Sequence, residues 1–161
     1  MNATKVILKN YKLFNDDPID NVSIGFDSEN VFLWNIILIG PKDTPYEGGI
    51  FNAKLKFPNT YPNYPPELIF INDIYHPNIY EDGRVCISIL HPPGDDKWGY
   101  ESAAERWRPV HSVNSIMLSI ISMLSEPNDD SPANIDAGKI WREDKKLFQH
   151  NVNLSIRKTL E

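Results

Sequence analysis

Only one cysteine, Cys86, stands in the 161 residues, so no disulfide can close within the chain. That usage fits a reducing compartment, cytosol or nucleus. Long apolar runs are also missing. Val31 to Ile39 and Ile116 to Leu124 are too short to span a bilayer and carry polar breaks. Met1 to Leu8 lacks a signal-peptide apolar block, so membrane association is expected only through a partner, with no direct insertion. Positive charge is in deficit, with a formal net charge of -6. A phosphate backbone needs a positive field, which argues against nucleic acid as the main partner. There is no Walker loop and no Gly-x-Gly-x-x-Gly, so energy to activate any group handled here must come from a separate enzyme. Internal repeats, low-complexity tracts and interdomain linkers are absent as well.

What is present reads as one ordinary globular domain, with 41% hydrophobic and 24% charged residues. Residues 4 to 14 predict an opening helix, stopped at Asn15-Asp16-Asp17-Pro18 because proline disfavours helix in the residue before it. Four strands follow. Val22, Ile24 and Phe26 alternate with other residues, and Val31 to Ile39 is apolar at nearly every position, as a strand buried on both faces would be. Phe51, Ala53, Leu55 and Phe57 alternate with Asn52, Lys54 and Lys56, giving one buried and one wet face, and Leu68 to Ile71 is short and apolar. Short connections favour an antiparallel meander. Val113, Ile116, Met117, Ile120, Ile121 and Leu124 repeat at helical spacing behind a Ser112 N-cap. Two more helices are expected, near Asn134 to Arg142 and from Lys145 to Leu160 behind Asp144. The order helix, strands, long loop, helices makes an α+β domain.

The long aperiodic stretch from Asp73 to Ser112 holds Cys86 just after Asp82-Gly83. Loops of that length usually carry function, whereas a free cysteine is more often a small buried hydrophobe. Both readings of Cys86 stand at this point. A hydrolase would need a histidine base, and His76, His91, His111 and His150 have no recognisable protease context. Disulfide chemistry would need a second thiol, and one cysteine with scattered histidines is a weak metal set. An acyl carrier needs less. A thiol of pKa near ~8.5 is already a few per cent thiolate at neutral pH and can exchange acyl groups with another thioester.

The run Tyr75-His76-Pro77-Asn78-Ile79-Tyr80-Glu81-Asp82-Gly83-Arg84-Val85-Cys86-Ile87-Ser88-Ile89-Leu90 resembles the active-site signature of ubiquitin-conjugating enzymes. Tyr61-Pro62 and Tyr64-Pro65-Pro66, Trp107-Arg108-Pro109 and Glu126-Pro127-Asn128 resemble further segments of that family in the same order, and the likeness spans essentially the whole chain. It implies a single catalytic domain over residues 1–161 with the family's fold: an N-terminal helix, a four-stranded antiparallel meander, a central helix and two C-terminal helices. It implies that Cys86 carries ubiquitin as a thioester and passes it to a lysine of a substrate or of another ubiquitin. No cofactor is expected on this chain, and ATP is used by the upstream ubiquitin-activating enzyme only. A modifier other than ubiquitin, and a non-catalytic scaffold of the same fold, are the alternatives.

The same resemblance assigns residues. Asn78 matches the asparagine proposed to stabilise the oxyanion, with a loop-holding role as the competing reading. Ser131 falls where many relatives have an aspartate that helps the incoming lysine, and serine is a poorer base. His76, Pro77 and Tyr80 are read as active-site architecture. His91 is read as packing its loop, with gating of the thiol as the alternative. The stretch from Cys86 to Trp107 is longer than most relatives allow by about a dozen residues. It resembles the acidic-loop insertion of a subgroup that includes conjugating enzymes of endoplasmic-reticulum-associated degradation. Within it, Asp95 and Asp96 are expected to position an acceptor lysine, against the alternative of a solvated loop tip.

Pro62, Asn63, Tyr64, Arg108, Pro109 and Val110 match positions where relatives meet a RING-type ubiquitin ligase. Lys5 and Lys9 match positions that engage the activating enzyme and the ligase, although Val6 stands where relatives often have a basic residue. Leu118 is expected to contact the carried ubiquitin. The expected partners are therefore ubiquitin, its activating enzyme, a ligase and protein substrates. Placement is expected in the cytoplasm or nucleus, with a tethering adaptor needed at the endoplasmic reticulum.

Overall fold

A computed structural model describes residues 2–130 and 132–161. The chain opens with helix α1 (Ala3–Asp16), capped by Asn2, whose side chain accepts from the Thr4 amide. Four strands follow as β1 (Val22–Phe26), β2 (Leu33–Ile39), β3 (Ile50–Lys56) and β4 (Glu67–Phe70). They form one antiparallel sheet in sequence order, the predicted meander. Helices α2 (Val113–Ser125), α3 (Ile135–Glu143) and α4 (Lys145–Thr159) complete the α+β architecture.

The sheet buries one face only. On β2, Trp34, Ile36 and Leu38 are buried, whereas Ile37 and Ile39 are 43% and 45% exposed. The run Val31 to Ile39 predicted burial on both faces, and the structure corrects this: among the described residues no helix covers the outer face, so the strand alternates despite its apolar sequence. On the inner face, α2 presents Val113, Ile116, Met117, Ile120, Met123 and Leu124. Its first turn is held by a capping box, with Ser112 Oγ accepting from the Ser115 amide at 3.2 Å and Ser115 Oγ accepting from the Ser112 amide at 3.4 Å. Asp144 serves two helices. Its amide donates to Ile140 O at the end of α3, and its side chain accepts from Leu147 N to begin α4.

Aromatic edges link α1 to the loops before α2. Tyr11 meets Trp34 at 5.6 Å between ring centroids, Trp34 meets Phe57 at 5.0 Å, and Phe57 meets Tyr61 at 4.8 Å, all near edge-to-face. Tyr61 then meets Trp107 at 5.9 Å. The Trp107 indole N–H donates to Pro62 O at 2.8 Å, which pins the loop of Pro62–Tyr64 against that of Arg108–Val110. Among the described residues, no helix is long and apolar enough to cross a membrane.

Candidate active site

Cys86 is carried by a short segment that continues the sheet edge. Val85 N–H donates to Leu68 O at 3.1 Å, Phe70 N–H donates to Gly83 O at 2.8 Å, and Cys86 N–H donates to Asn78 O at 2.8 Å. The reversal from Tyr80 to Arg84 depends on Gly83 at φ +93° and is tightened by Asp82, whose carboxylate accepts from the Arg84 amide and side chain. After Cys86, a single 3-10 turn at Ser88–Leu90 swings the chain around so that His91 returns toward the sulfur.

Cys86 is half-buried and its sulfur opens onto a cleft of about 840 Å³. The cleft walls include Asn78, His91, Glu101, Ser119, Ser122 and Asn128. His91 Nε2 lies 3.6 Å from Sγ, and its Nδ1 lies 2.9 Å from Glu101 Oε1. The carboxylate therefore accepts a hydrogen bond from Nδ1–H and leaves Nε2 for the sulfur. Glu101 is further held by the Ser88 hydroxyl and by Arg106, whose Nε is 3.8 Å from Oε1.

These contacts set the ionisation of the site. The His91 hydrogen bond pulls the Cys86 thiol below its ordinary value, against the upward push of burial. His91 is raised to about 9, first by its bond to the sulfur and, against burial, by Glu101. Burial pushes Glu101 up, but Ser88, His91 and Arg106 together hold it below the usual carboxylate range. Tyr80 is raised, chiefly by negative charge on the Cys86 sulfur. Together these directions show that the thiol and the imidazole each favour the other's charged form.

Asn78 and His76 lie beneath the site. Asn78 Nδ2 donates to Asn128 O at 2.6 Å, and Asn78 Oδ1 accepts from Asn128 N at 2.9 Å. One amide thus clamps the segment after α2 to the stretch whose Asn78 carbonyl holds the Cys86 amide. His76 is fully buried; its Nε2–H donates to Met123 O at 2.7 Å and its Nδ1 accepts from the Asn78 amide at 2.9 Å. This two-sided bonding fixes the neutral tautomer, and burial lowers its pKa to about 4, against the Met123 carbonyl. Above pH 6.5, folded and unfolded chains are both neutral at this site. Between 6.5 and about 4 the unfolded chain takes up a proton that the folded chain excludes. Stability is expected to fall by about 3 kcal/mol over that window through His76 alone. Urea unfolding at stepped pH should show this acid slope flattened in His76→Asn; an unchanged slope would assign it elsewhere.

The acidic loop separates into two parts. Asp96 accepts from the amides of Trp98, Tyr100 and Glu101 and lies 3.8 Å from Arg106 Nη1, so its carboxylate organises its own loop. Asp95 is exposed at the tip, beside Trp98 and Tyr100, which are 72% and 85% exposed. Asn63, Tyr64, Arg108, Pro109 and Val110 are exposed on the two loops pinned by Trp107, with Pro62 half-buried between them. Lys5 and Lys9 are exposed on α1. That helix is fixed to the start of α2 because Asn10 Oδ1 accepts from Val113 N. Leu118 is 57% exposed on α2. Pro77 is buried and its carbonyl accepts from Asn134 N. Ser131 lies outside the described residues. Among those that are described, no group of three or more His, Cys, Asp or Glu is placed to hold a metal ion.

Sequence reasoning did not find Glu101 and Arg106. The available signal was a carboxylate and a guanidinium within the inserted loop; in the fold the carboxylate meets His91 and the guanidinium sits behind the carboxylate.

A family model described as ubiquitin-conjugating enzyme matches residues 6–156. Ubiquitin-conjugating enzyme E2 7 of Arabidopsis thaliana is 56% identical over 160 residues, covering 99% of this chain and 96% of that protein. Ubiquitin-conjugating enzyme E2 15 of Schizosaccharomyces pombe is 51% identical over 160 residues, with 99% and 96% covered. Ubiquitin-conjugating enzyme E2 G2 of Homo sapiens is 50% identical over 159 residues, with 98% and 96% covered.

Proposed function

This chain belongs to the ubiquitin-conjugating enzyme family, thioester-forming ubiquitin transferases, and from that premise we propose that Cys86 is the sulfur that accepts ubiquitin from the activating enzyme and yields it to a lysine amine. One observation carries the assignment: the chain's single thiol is half-buried on an open cleft and held toward the thiolate by a neighbouring imidazole. A thiolate attacks the incoming thioester carbonyl directly, and sulfur-to-sulfur exchange is nearly balanced in energy. No cofactor is needed for either half of the transfer.

Other residues take roles around that sulfur. Asn78 acts first as the clamp between the Cys86 segment and Asn128, and its second amide hydrogen remains as a donor toward an oxyanion. His76, Pro77 and Tyr80 shape the turn. Ser131 is a weak base, and its share in lysine attack passes to the acidic loop. Asp95 is the carboxylate at that loop's tip that draws an acceptor ammonium, while Asp96 keeps the loop folded. Pro62–Tyr64 and Arg108–Val110 form the face for a RING-type ligase, with Lys5 and Lys9 serving the activating enzyme and the ligase in turn. Leu118 contacts carried ubiquitin. The acidic insertion favours work in endoplasmic-reticulum-associated or other proteasomal degradation, from the cytosolic side and through an adaptor.

The test is a charging reaction with activating enzyme, ATP and ubiquitin. A ubiquitin adduct that thiol reductant removes, and that discharges onto free lysine, is the expected result. Charging with a different ubiquitin-like modifier in preference to ubiquitin would replace this reading, and an adduct that never discharges would favour a scaffold.

A further inference from the structure

Resting on the assignment of Cys86 as the thioester sulfur, we propose that His91, aimed by Glu101, is a catalytic base that serves both halves of the transfer, with Cys86 itself switching it between them. The geometry is a three-member line: Sγ to Nε2 at 3.6 Å, Nδ1 to Glu101 Oε1 at 2.9 Å, and Arg106 and Ser88 behind the carboxylate. Such a line orients an imidazole and fixes which nitrogen faces the reacting atom.

In the uncharged protein, His91 Nε2 holds the Cys86 proton and the sulfur is the nucleophile. Sulfur attacks the ubiquitin thioester of the activating enzyme; a new S–C bond forms, the old S–C bond breaks, and the departing thiolate takes the proton from His91. Acylation ends the bond between sulfur and imidazolium. That bond is the chief reason that His91 is raised, so its loss lowers His91 toward neutrality while Glu101 keeps the ring aimed. The neutral Nε2 then faces the same cleft from which a lysine amine must arrive. The amine attacks the thioester carbonyl, the C–N bond forms, and His91 takes the amine proton. Cys86 leaves as thiolate beside the new imidazolium, which restores the starting pair. No oxidant or outside acid is required.

Other charges bear on the ring. Asp96, Glu105 and Arg106 face the cleft from the inserted loop, Glu126 and Asp130 from the segment after α2, and Tyr80 lies near the sulfur. The carboxylates favour an arriving ammonium, which gives one proton to solvent to become the attacking amine. The second, released as the C–N bond forms, is the proton for which the cleft still needs a base at the carbonyl.

Two measurements test the inference, on wild type, His91→Gln and Glu101→Gln. The first is alkylation of the uncharged thiol by iodoacetamide across pH. Wild type should react roughly tenfold faster than His91→Gln at pH 7 and begin to react at lower pH. Coincident profiles would overturn the pairing. The second is discharge of the ubiquitin thioester onto free lysine, with rates divided by the fraction of unprotonated amine. Wild type should rise with pH and then level, whereas His91→Gln should be flat and roughly 10- to 100-fold slower at the plateau. In Glu101→Gln the rise should move to lower pH. A His91→Gln profile that keeps the wild-type rise, at any overall rate, would overturn the role as base and leave only loop support. Should wild type form no ubiquitin adduct, the thioester assignment falls and the base role with it. The alkylation profiles, which need no ubiquitin, would then show separately whether the thiol–imidazole pair exists.

Discussion

Cys86→Ser is expected to lose the reductant-sensitive adduct completely and to slow overall transfer to lysine by at least about 10³-fold. The hydroxyl is sterically close to the thiol, and the line from His91 to Glu101 remains in place. The chemistry nevertheless changes at both steps. An imidazole can take up the proton of a thiol that its own hydrogen bond has made more acidic, but it leaves a serine hydroxyl almost entirely protonated. Any adduct that forms is an oxyester, which reductant does not cleave. Its alkoxide is also a far poorer leaving group than a thiolate when an amine attacks. Non-reducing and reducing gels of the charged variant distinguish these species. A reductant-sensitive ubiquitin adduct persisting in Cys86→Ser would remove the assignment of this residue.

Gly83→Ala is expected to cost about 3–5 kcal/mol in stability and to impair charging through structure alone. At φ +93° a side chain is strained, and an added Cβ would lie 2.0 Å from Phe70 O. That atom belongs to β4 backbone and cannot swing aside. The same glycine accepts from Phe70 N and donates to Tyr80 O, so a shift there breaks the pairing that carries Val85 and Cys86 along the sheet edge. Urea unfolding should show the lost stability, and any folded fraction should charge more slowly than wild type. A stability within about 0.5 kcal/mol of wild type would mean that the turn can relax in a way its tight packing does not suggest.

Much of the frame was legible from local pattern. The helical spacing from Val113 to Leu124 and its Ser112 cap located α2, since packing and capping there agree. Asp144 was legible as a cap because a short polar side chain can accept from the next turn's amides. Val31 to Ile39 misled, because an apolar run says that a strand tolerates burial, not that a second layer exists to bury it. At the site, Cys86 and Asn78 were reachable by motif. Glu101 and Arg106 were not: their positions depend on how Asp96 folds an irregular loop, which leaves no periodicity to read. The closeness of His91 and Cys86 also hinged on the 3-10 turn between them, where single-residue propensities are weak.

The lashing of Asp96 and Glu101 to Arg106 has an implication for how such a protein diversifies. On the roles proposed above, chemistry at the sulfur answers to the base of the inserted loop, and acceptor choice to its exposed crown around Asp95, Trp98 and Tyr100. Grafted crowns of different composition should redirect which acceptor is chosen while leaving the reactivity of the cysteine nearly untouched. The insertion is in that sense an interchangeable head on a fixed mount, and drift in one need not disturb the other.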